Sequence, residues 1–520
     1  MKQKTRMATF EDLQGLADLI SRNKVKNIQV IGNPNAPNTK FEQFYQGLVN
    51  HEWAKEEEAE IHFYGPQKNK AAFDKLKSRL HDRMINTLFF IDVNQPNFTD
   101  SQKAYYNCYK NAATVKILFG RYGREHAIPL AIKTLGTALY FEFTDIALNL
   151  AKDLRTHFGT IIGDDKKSSH YNRIVQTQSR LYMAELKAEE HYSSLISNFV
   201  SSKSTKPELI KIAQKYSEDL QGLLQENDSF RLNFLFFLVF TLRYELENNY
   251  VGTLEVSKSA IQYFKQRKIP ASPNILWNFW MKKLQCYIQL SQYNSAEEAS
   301  KKCITLPPLG ANNWFSGLNY SMILFFHYQK FNKAFEIYQQ ATTNNKYKKL
   351  PPSYSEPWRI HEAFIFYFIR IGKIDVSNQK KLKTFRINKF LNEMPTYSKD
   401  KYGINITILI LHVLFLLLDG RYGEIIDRME SLNTYTHRYL RKDHTFRSNC
   451  FIKMLLQLPA ASFHKEAVIR KAKKFKDKLE SVPLEEANQS VEIEIVPYEM
   501  LWEFVLDSLD NKFHHTNKKL

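Results

Sequence analysis

The sequence predicts an all-α protein built as an irregular α-solenoid of antiparallel helix pairs, and three observations carry that expectation. Apolar residues recur at helical spacing along nearly the whole chain, and no long stretch alternates with a period of two. Glycine and proline are scarce, 17 of each in 520 residues, whereas a many-stranded β fold needs frequent turn punctuation. A short turn with an aromatic or aliphatic marker recurs between apolar helical runs, and a helix–turn–helix unit repeated every ~34–47 residues is the signature of a solenoid.

The length exceeds one ordinary core, so several domains or one extended array are expected. Residues 1–95 read as an N-terminal helical region, with a loop at Asn33-Pro34-Asn35-Ala36-Pro37-Asn38 and an acidic turn at Glu56-Glu57-Glu58. Residues 96–205 form a first helical-repeat segment. The polar run SSKSTKP at 201–207 is the best internal linker, and Pro207 suits the first turn of a following helix. The more regular α-solenoid then occupies residues 206–520.

Two turns are identical in sequence, Gly120-Arg121-Tyr122-Gly123 and Gly420-Arg421-Tyr422-Gly423. Looser versions occur at Asn248-Asn249-Tyr250, Ser291-Gln292-Tyr293, Gln329-Lys330-Phe331 and Gly372-Lys373-Ile374. From Tyr250 the markers follow at intervals of 43, 38, 43 and 48 residues, at Tyr293, Phe331, Ile374 and Tyr422.

One unit is specific enough to compare with a family. Trp280, Leu284 and Tyr287 lie on its first helix, the Ser291-Gln292-Tyr293 turn follows, Ala296 and Ser300 lie on its second helix, and Pro308 closes it. This order resembles the tetratricopeptide repeat. Leu284 and Ser300 depart from the small and aromatic residues usual there, and the spacing exceeds the family's ~34, so the fold expected is tetratricopeptide-like. The chain also resembles an uncharacterised family of tetratricopeptide-like proteins from Bacteroidetes bacteria. The stretches that carry this are FRINKFLNEMPTYSKDKYGINITILI at 385–410, IIDRMESL at 425–432 and IVPYEMLWE at 495–503. That resemblance implies a fold and a bacterial source, and no chemistry.

Three segments have a distinct reading. Between Ala467 and Glu480, Val468, Ala472, Phe475 and Leu479 form one stripe, with Arg470, Lys471, Lys473, Lys474 and Lys478 elsewhere on the helix. Ile404 to Leu418 is the longest apolar run. It falls short of the ~20 residues of a membrane span and reads as a buried helix. Val491 to Val496 alternates strictly, but six residues cannot form a sheet alone, so an extended connector is expected.

No phosphate loop, dinucleotide fingerprint or nucleophile elbow is present. His51-Glu52 and His361-Glu362 begin like a zinc-protease helix, but Lys55 and Ile365 stand where the second histidine belongs. His51, Glu52, Glu56 and His62 read as solvated surface. The expectation is a non-enzymatic protein without catalytic residues, metal or cofactor. Cys108, Cys286, Cys303 and Cys450 lie far apart without C-x-x-C spacing, and the N-terminus has no apolar core of a secretory signal. A cytoplasmic protein with no membrane association is expected.

Lys plus Arg exceed Asp plus Glu by 19, with the surplus concentrated late in the chain. Arg386, Lys389, Lys399 and Lys401 precede the apolar run, and Arg438, Arg441 and Arg447 follow it, interleaved with Phe390, Tyr435, Tyr439 and Phe446. Within the run, Asn405, His412 and Asp419 are spaced seven apart and make a thin polar line. These basic residues and His412 are the candidate partner-binding set. Gathered on one concave face, they would suit an acidic peptide, a phosphorylated ligand or single-stranded nucleic acid. Helix amphipathicity alone also produces this composition, with the rings inward, the charges in solvent and His412 satisfied locally. A protein or peptide partner is the first expectation and nucleic acid the second; oligomeric state leaves no mark in the sequence.

Overall fold

A left-handed residue ends one helix after another along this chain, and that device sets its local architecture. The computed structural model describes residues 39–50, 52–67, 69–89, 93, 99–201, 206–377, 390, 404–439, 445–487, 489 and 492–514. Among them every regular element is helical and none is a strand. The chain divides into two compact units, residues 1–187 with 226–232, and residues 188–225 with 233–520.

The first unit contains α1 (Lys40–Val49), α2 (Glu56–Tyr64), α3 (Lys70–Leu88), α4 (Asp100–Gly120), α5 (Arg124–Tyr140), α6 (Thr144–Thr156) and most of α7 (Asp165–Ser201). The Thr39 and Thr99 side chains cap α1 and α4 by accepting the backbone N–H of Glu42 and Gln102, each at 3.3 Å. Phe44, Ala59, Phe73, Leu76 and Leu80 bury one apolar cluster. A second joins α4, α5 and α6, where Ala131, Ala138, Ala147 and Ala151 leave room for close helix approach. One buried carboxylate ties distant segments. Glu185 accepts the hydroxyls of Thr144 at 2.8 Å and Ser229 at 2.6 Å. Burial raises its pKa above the ordinary carboxylate value, and both hydroxyl bonds oppose that rise.

The second unit holds the end of α7, α8 (Lys206–Glu226), most of α9 (Phe230–Leu246), α10 (Tyr250–Gln266), α11 (Pro273–Gln289), α12 (Tyr293–Thr305), α13 (Asn312–His327), α14 (Phe331–Thr343) and α15 (Pro352–Arg370). It continues through α16 (Ile404–Leu418), α17 (Tyr422–Tyr439), α18 (Phe446–Leu455), α19 (Gln457–Ala460), α20 (Lys465–Glu480) and α21 (Tyr498–Asp507). From α10 to α15 each helix packs on the next. In addition α11 packs on α13, α13 on α15, and α15 on α16, so these four helices form a row of successive contacts.

The turns explain this regularity. Asn248, Ser291, Gln329, Gly372 and Gly420 all have positive φ. After each, the next backbone N–H returns to a carbonyl five residues earlier, as in Gln292 N–H to Tyr287 at 2.8 Å and Lys330 N–H to Phe325 at 2.8 Å. That bond satisfies a carbonyl the helix end would leave open. The marker residue follows two positions later and reaches the next pair. Tyr293 stacks on Tyr328 with centroids 5.0 Å apart, Phe331 meets Phe368 at 4.4 Å, and Tyr422 meets Phe463 at 4.4 Å. The motif residues Trp280, Leu284, Tyr287, Ala296 and Ser300 are all buried.

The two identical tetrapeptides differ in register. Gly420 takes the left-handed conformation and Tyr422 opens α17, whereas Gly120 still belongs to α4 and Tyr122 becomes left-handed, 88% exposed. In both, the left-handed residue stands four positions after a buried leucine, Leu118 or Leu416, whose carbonyl accepts the closing bond. In both cases the closing bond falls on a buried leucine near the helix end, while the tetrapeptide places its glycine in the left-handed position only once.

Helices α12 and α13 approach closely at Gly317, where an added Cβ would stand 2.6 Å from the Cys303 carbonyl oxygen. Ser300 and Ser321 share a hydroxyl hydrogen bond of 2.6 Å there, and the Trp277 indole N–H donates to the Cys303 carbonyl at 3.0 Å. Backbone cannot swing aside as a side chain can, so Gly317→Ala is expected to cost about 1–3 kcal/mol by overpacking. A urea midpoint unchanged from the parent would refute this contact.

Candidate functional site

The candidate site is a face of the second unit on which side chains from α11, α13, α16 and α18 hold a segment that is non-helical at its described residues, 481–487, 489 and 492–497. On α11, Lys282, Gln285 and Gln289 fall at positions i, i+3 and i+7 and share one side, as do Tyr320 and His327 on α13. The segment places Leu484, Ala487, Ile493, Ile495 and Val496 in buried positions. Its alternating Glu-Ile-Glu-Ile-Val run forms turns and bends without strand pairing, so it is a connector but not the extended one its alternation suggested.

Most of the grip is on main chain. The Gln289 amide donates to the carbonyls of Leu484 at 2.6 Å and Gln489 at 2.9 Å. Thr407 donates to the Ile493 carbonyl at 3.3 Å, and His327 Nε2 lies 2.9 Å from the Glu494 carbonyl. A carbonyl only accepts, so that contact requires a proton on Nε2. Burial then drives the His327 pKa down to about 4.

Arg447 anchors the far end. It is 1% exposed, and its guanidinium meets both Glu494 oxygens at 2.9 and 2.7 Å and Glu499 at 2.7 Å. Its remaining group reaches the carbonyls of Val482 at 2.7 Å and Leu479 at 3.2 Å. Glu494, also 1% exposed, accepts further bonds from Gln489 at 2.8 Å and the Tyr498 backbone N–H at 2.9 Å. Burial opposes the arginine charge, but the two glutamates outweigh it and raise its pKa. Ser448 completes the network through Gln489 and the Tyr498 hydroxyl.

Beside this network lies a half-buried polar cluster. Tyr320 donates to Glu492 at 2.6 Å and Gln285 to the same oxygen at 3.4 Å, while Lys282 pairs with Glu245 at 2.5 Å. Burial, then Glu492, pushes the Tyr320 pKa well above its usual value, and burial pushes the Cys286 thiol up to about 12. Neither group is poised as a nucleophile at neutral pH. Among the described residues no group of three or more His, Cys, Asp or Glu side chains is placed to hold a metal, and no helix is long and apolar enough to cross a membrane. The four cysteines are free and buried.

The expected partner-binding residues fare differently. Arg386, Lys389, Lys399, Lys401 and Arg441 lie outside the described residues, and so does the side chain of Arg438, which belongs to α17. His412 is buried on α16, where burial and then the nearby Arg428 lower its pKa to about 4. It is not open to a ligand, so the polar line is broken at its centre. Asp419 at its end pairs with Arg370 at 2.7 Å. Arg447, expected at a basic surface, is instead a core residue. Its partners stand 47 and 52 positions away, beyond any local pattern. Of the surface reading offered for His51, Glu52, Glu56 and His62, His51 lies outside the described residues. Glu56 pairs with Lys77 at 2.5 Å, and His62 packs against Trp53.

Sequence reasoning missed Gln289, Tyr320, His327 and Glu494. The signal for three of them was polarity inside otherwise apolar helices, and for Glu494 an acidic residue between two isoleucines. Compared with protein-family models, with curated proteins and with solved structures, the chain matches none.

Proposed function

We propose that this chain is a non-enzymatic, tetratricopeptide-like interaction scaffold. In this reading its helices form antiparallel pairs stacked as an irregular α-solenoid, and the row containing α11, α13 and α16 lines a concave face that receives a non-helical protein segment. One observation carries the proposal: side chains from three helices of that row, α11, α13 and α16, hold a non-helical stretch of this chain by its carbonyls. Bonds to main chain tolerate many side chains, which suits docking of varied peptides. The basic stretch at 381–441 is the proposed entrance for an acidic partner, with Arg447 excluded from it.

The test is cross-linking affinity purification of the full chain from its native cell. A partner is expected whose cross-links fall on residues 381–441 or the row containing α11, α13 and α16. Reversing Arg386, Lys389, Arg438 and Arg441 to glutamate should abolish its capture while far-UV circular dichroism stays unchanged. Retention of the same partner by that folded variant defeats the placement. Nucleic acid is the alternative ligand, motivated by the net charge of +19. It predicts a mobility shift that weakens steeply with salt, as phosphate neutralisation releases counterions.

A further inference from the structure

A different side of α11 forms a groove of 380 Å3 with α10. At about 100° per residue, Lys283 and Trp280 lie roughly 100–180° round the helix from Lys282 and Gln289, so this surface is separate from the face that grips residues of the 481–497 segment. Ile261 and the buried Trp280 make an apolar floor, and Lys258, Lys265 and Lys283 stand around it. No carboxylate lines the groove.

The cations are drawn together. Lys283 Nζ lies 4.0 Å from the Trp280 ring centroid and Lys265 Nζ lies 5.9 Å from the same centroid, so two ammonium groups share one indole. Burial, opposed by Glu298, lowers the Lys283 pKa, and Lys258 and Lys265 lower it further by repulsion. At the rim Glu255 pairs with Lys258 at 2.8 Å. Glu255 and Glu298 offset part of this charge at the rim, and an entering anion would relieve the repulsion that remains. A single carboxylate would neutralise one ammonium group, whereas a polyphosphate reaches all three. The volume lies in the range of small-molecule sites, roughly 300–1,000 Å3, and two helices bound it, which fits one nucleotide better than a strand.

We propose that this groove binds a nucleoside polyphosphate, with the base against Ile261 and Trp280 and the phosphates on Lys258, Lys265 and Lys283. Lysine serves here as a point charge for phosphate, and the indole supplies a flat apolar surface for the ring. The groove shares no residue with the proposed partner face. Its loss should therefore leave partner capture intact, and the two proposals fail separately.

Calorimetric titration of the full chain at low ionic strength with ATP, tripolyphosphate and adenosine tests the proposal. ATP should bind, tripolyphosphate several-fold more weakly, and adenosine not measurably. Lys265→Glu with Lys283→Glu should lower ATP affinity at least tenfold with unchanged circular dichroism. ATP should also shield Lys265 and Lys283 of the parent chain from amine acylation, which keeps the test decisive if the variant fails to fold. No heat with ATP, unchanged affinity in the folded variant or unshielded lysines would overturn the site. Equal affinity for ATP and tripolyphosphate would remove the base from it.

Discussion

Arg447→Met is expected to lower the unfolding free energy by about 3–5 kcal/mol, the usual cost of removing one partner of a buried ion pair. The methionine keeps apolar bulk, so the loss isolates charge and hydrogen bonding from cavity formation. Without the guanidinium, Glu494 remains buried with only Gln489 and the Tyr498 backbone N–H as donors, and Glu499 and the Leu479 and Val482 carbonyls lose theirs. The effect should concentrate where those bonds were. Hydrogen exchange at residues 481–499 should accelerate more than in α12 or α14. Adding Glu494→Gln removes the stranded charge, so the double variant should be more stable than the two single losses added together. Urea denaturation of the four proteins measures both quantities. A single-variant loss under about 0.5 kcal/mol, typical of exposed ion pairs, would show that Arg447 is solvated and the network does not hold the segment.

How far the sequence could be read depends on the range over which each signal acts. The stripe on α20 was legible because amphipathicity is local: Val468, Ala472 and Leu479 are buried and the lysines lie elsewhere on the helix. Helix α16 was legible for the same reason, since fifteen mostly apolar residues have few other solutions. The turn markers fixed helix ends from Asn248 onward because each rests on one left-handed residue and one bond five residues long. Local pattern failed at the twin tetrapeptides, which place their glycine in the left-handed position only once.

The site was harder for a related reason. An arginine among lysines and aromatics looks like surface until its acidic partners arrive from another part of the chain. Arg447 meets Glu494 and Glu499 only after α20 and the connector have brought them back. Gln289 likewise gives no sign, within its own helix, of carbonyls about two hundred residues away. Pairings set by tertiary closure leave no periodicity to detect.

Acid should destabilise the fold before its depressed carboxylates begin to titrate. His327, His361 and His412 have pKa values lowered to about 4, 3 and 4, chiefly by burial. His327 faces Arg447 and Glu485, His412 faces Arg428, Glu424 and Arg421, and His361 packs against the rings of Phe326 and Trp358. An unfolded histidine titrates near 6.5, so below that pH the unfolded chain binds protons that the native chain refuses. Stability is therefore full above about pH 6.5 and falls as pH drops toward 4, with His361 continuing to about 3. Each histidine contributes roughly 3–5 kcal/mol over its full window, a large share of the ~5–15 kcal/mol that holds an ordinary domain. Asp74, Asp164 and Glu297 have lowered pKa values and stay ionised between pH 6.5 and 5, so they do not generate the slope there. Glu185, with a raised pKa, works in the opposite direction and reduces it. Urea midpoints at pH 7.5, 6.5, 5.5 and 5 should fall steadily below pH 6.5, and His361→Leu should remove about one proton from the slope. A midpoint flat across that range would mean that these rings are protonated in the native chain, and hence not enclosed by α13, α15, α16 and α17 as the structure has them.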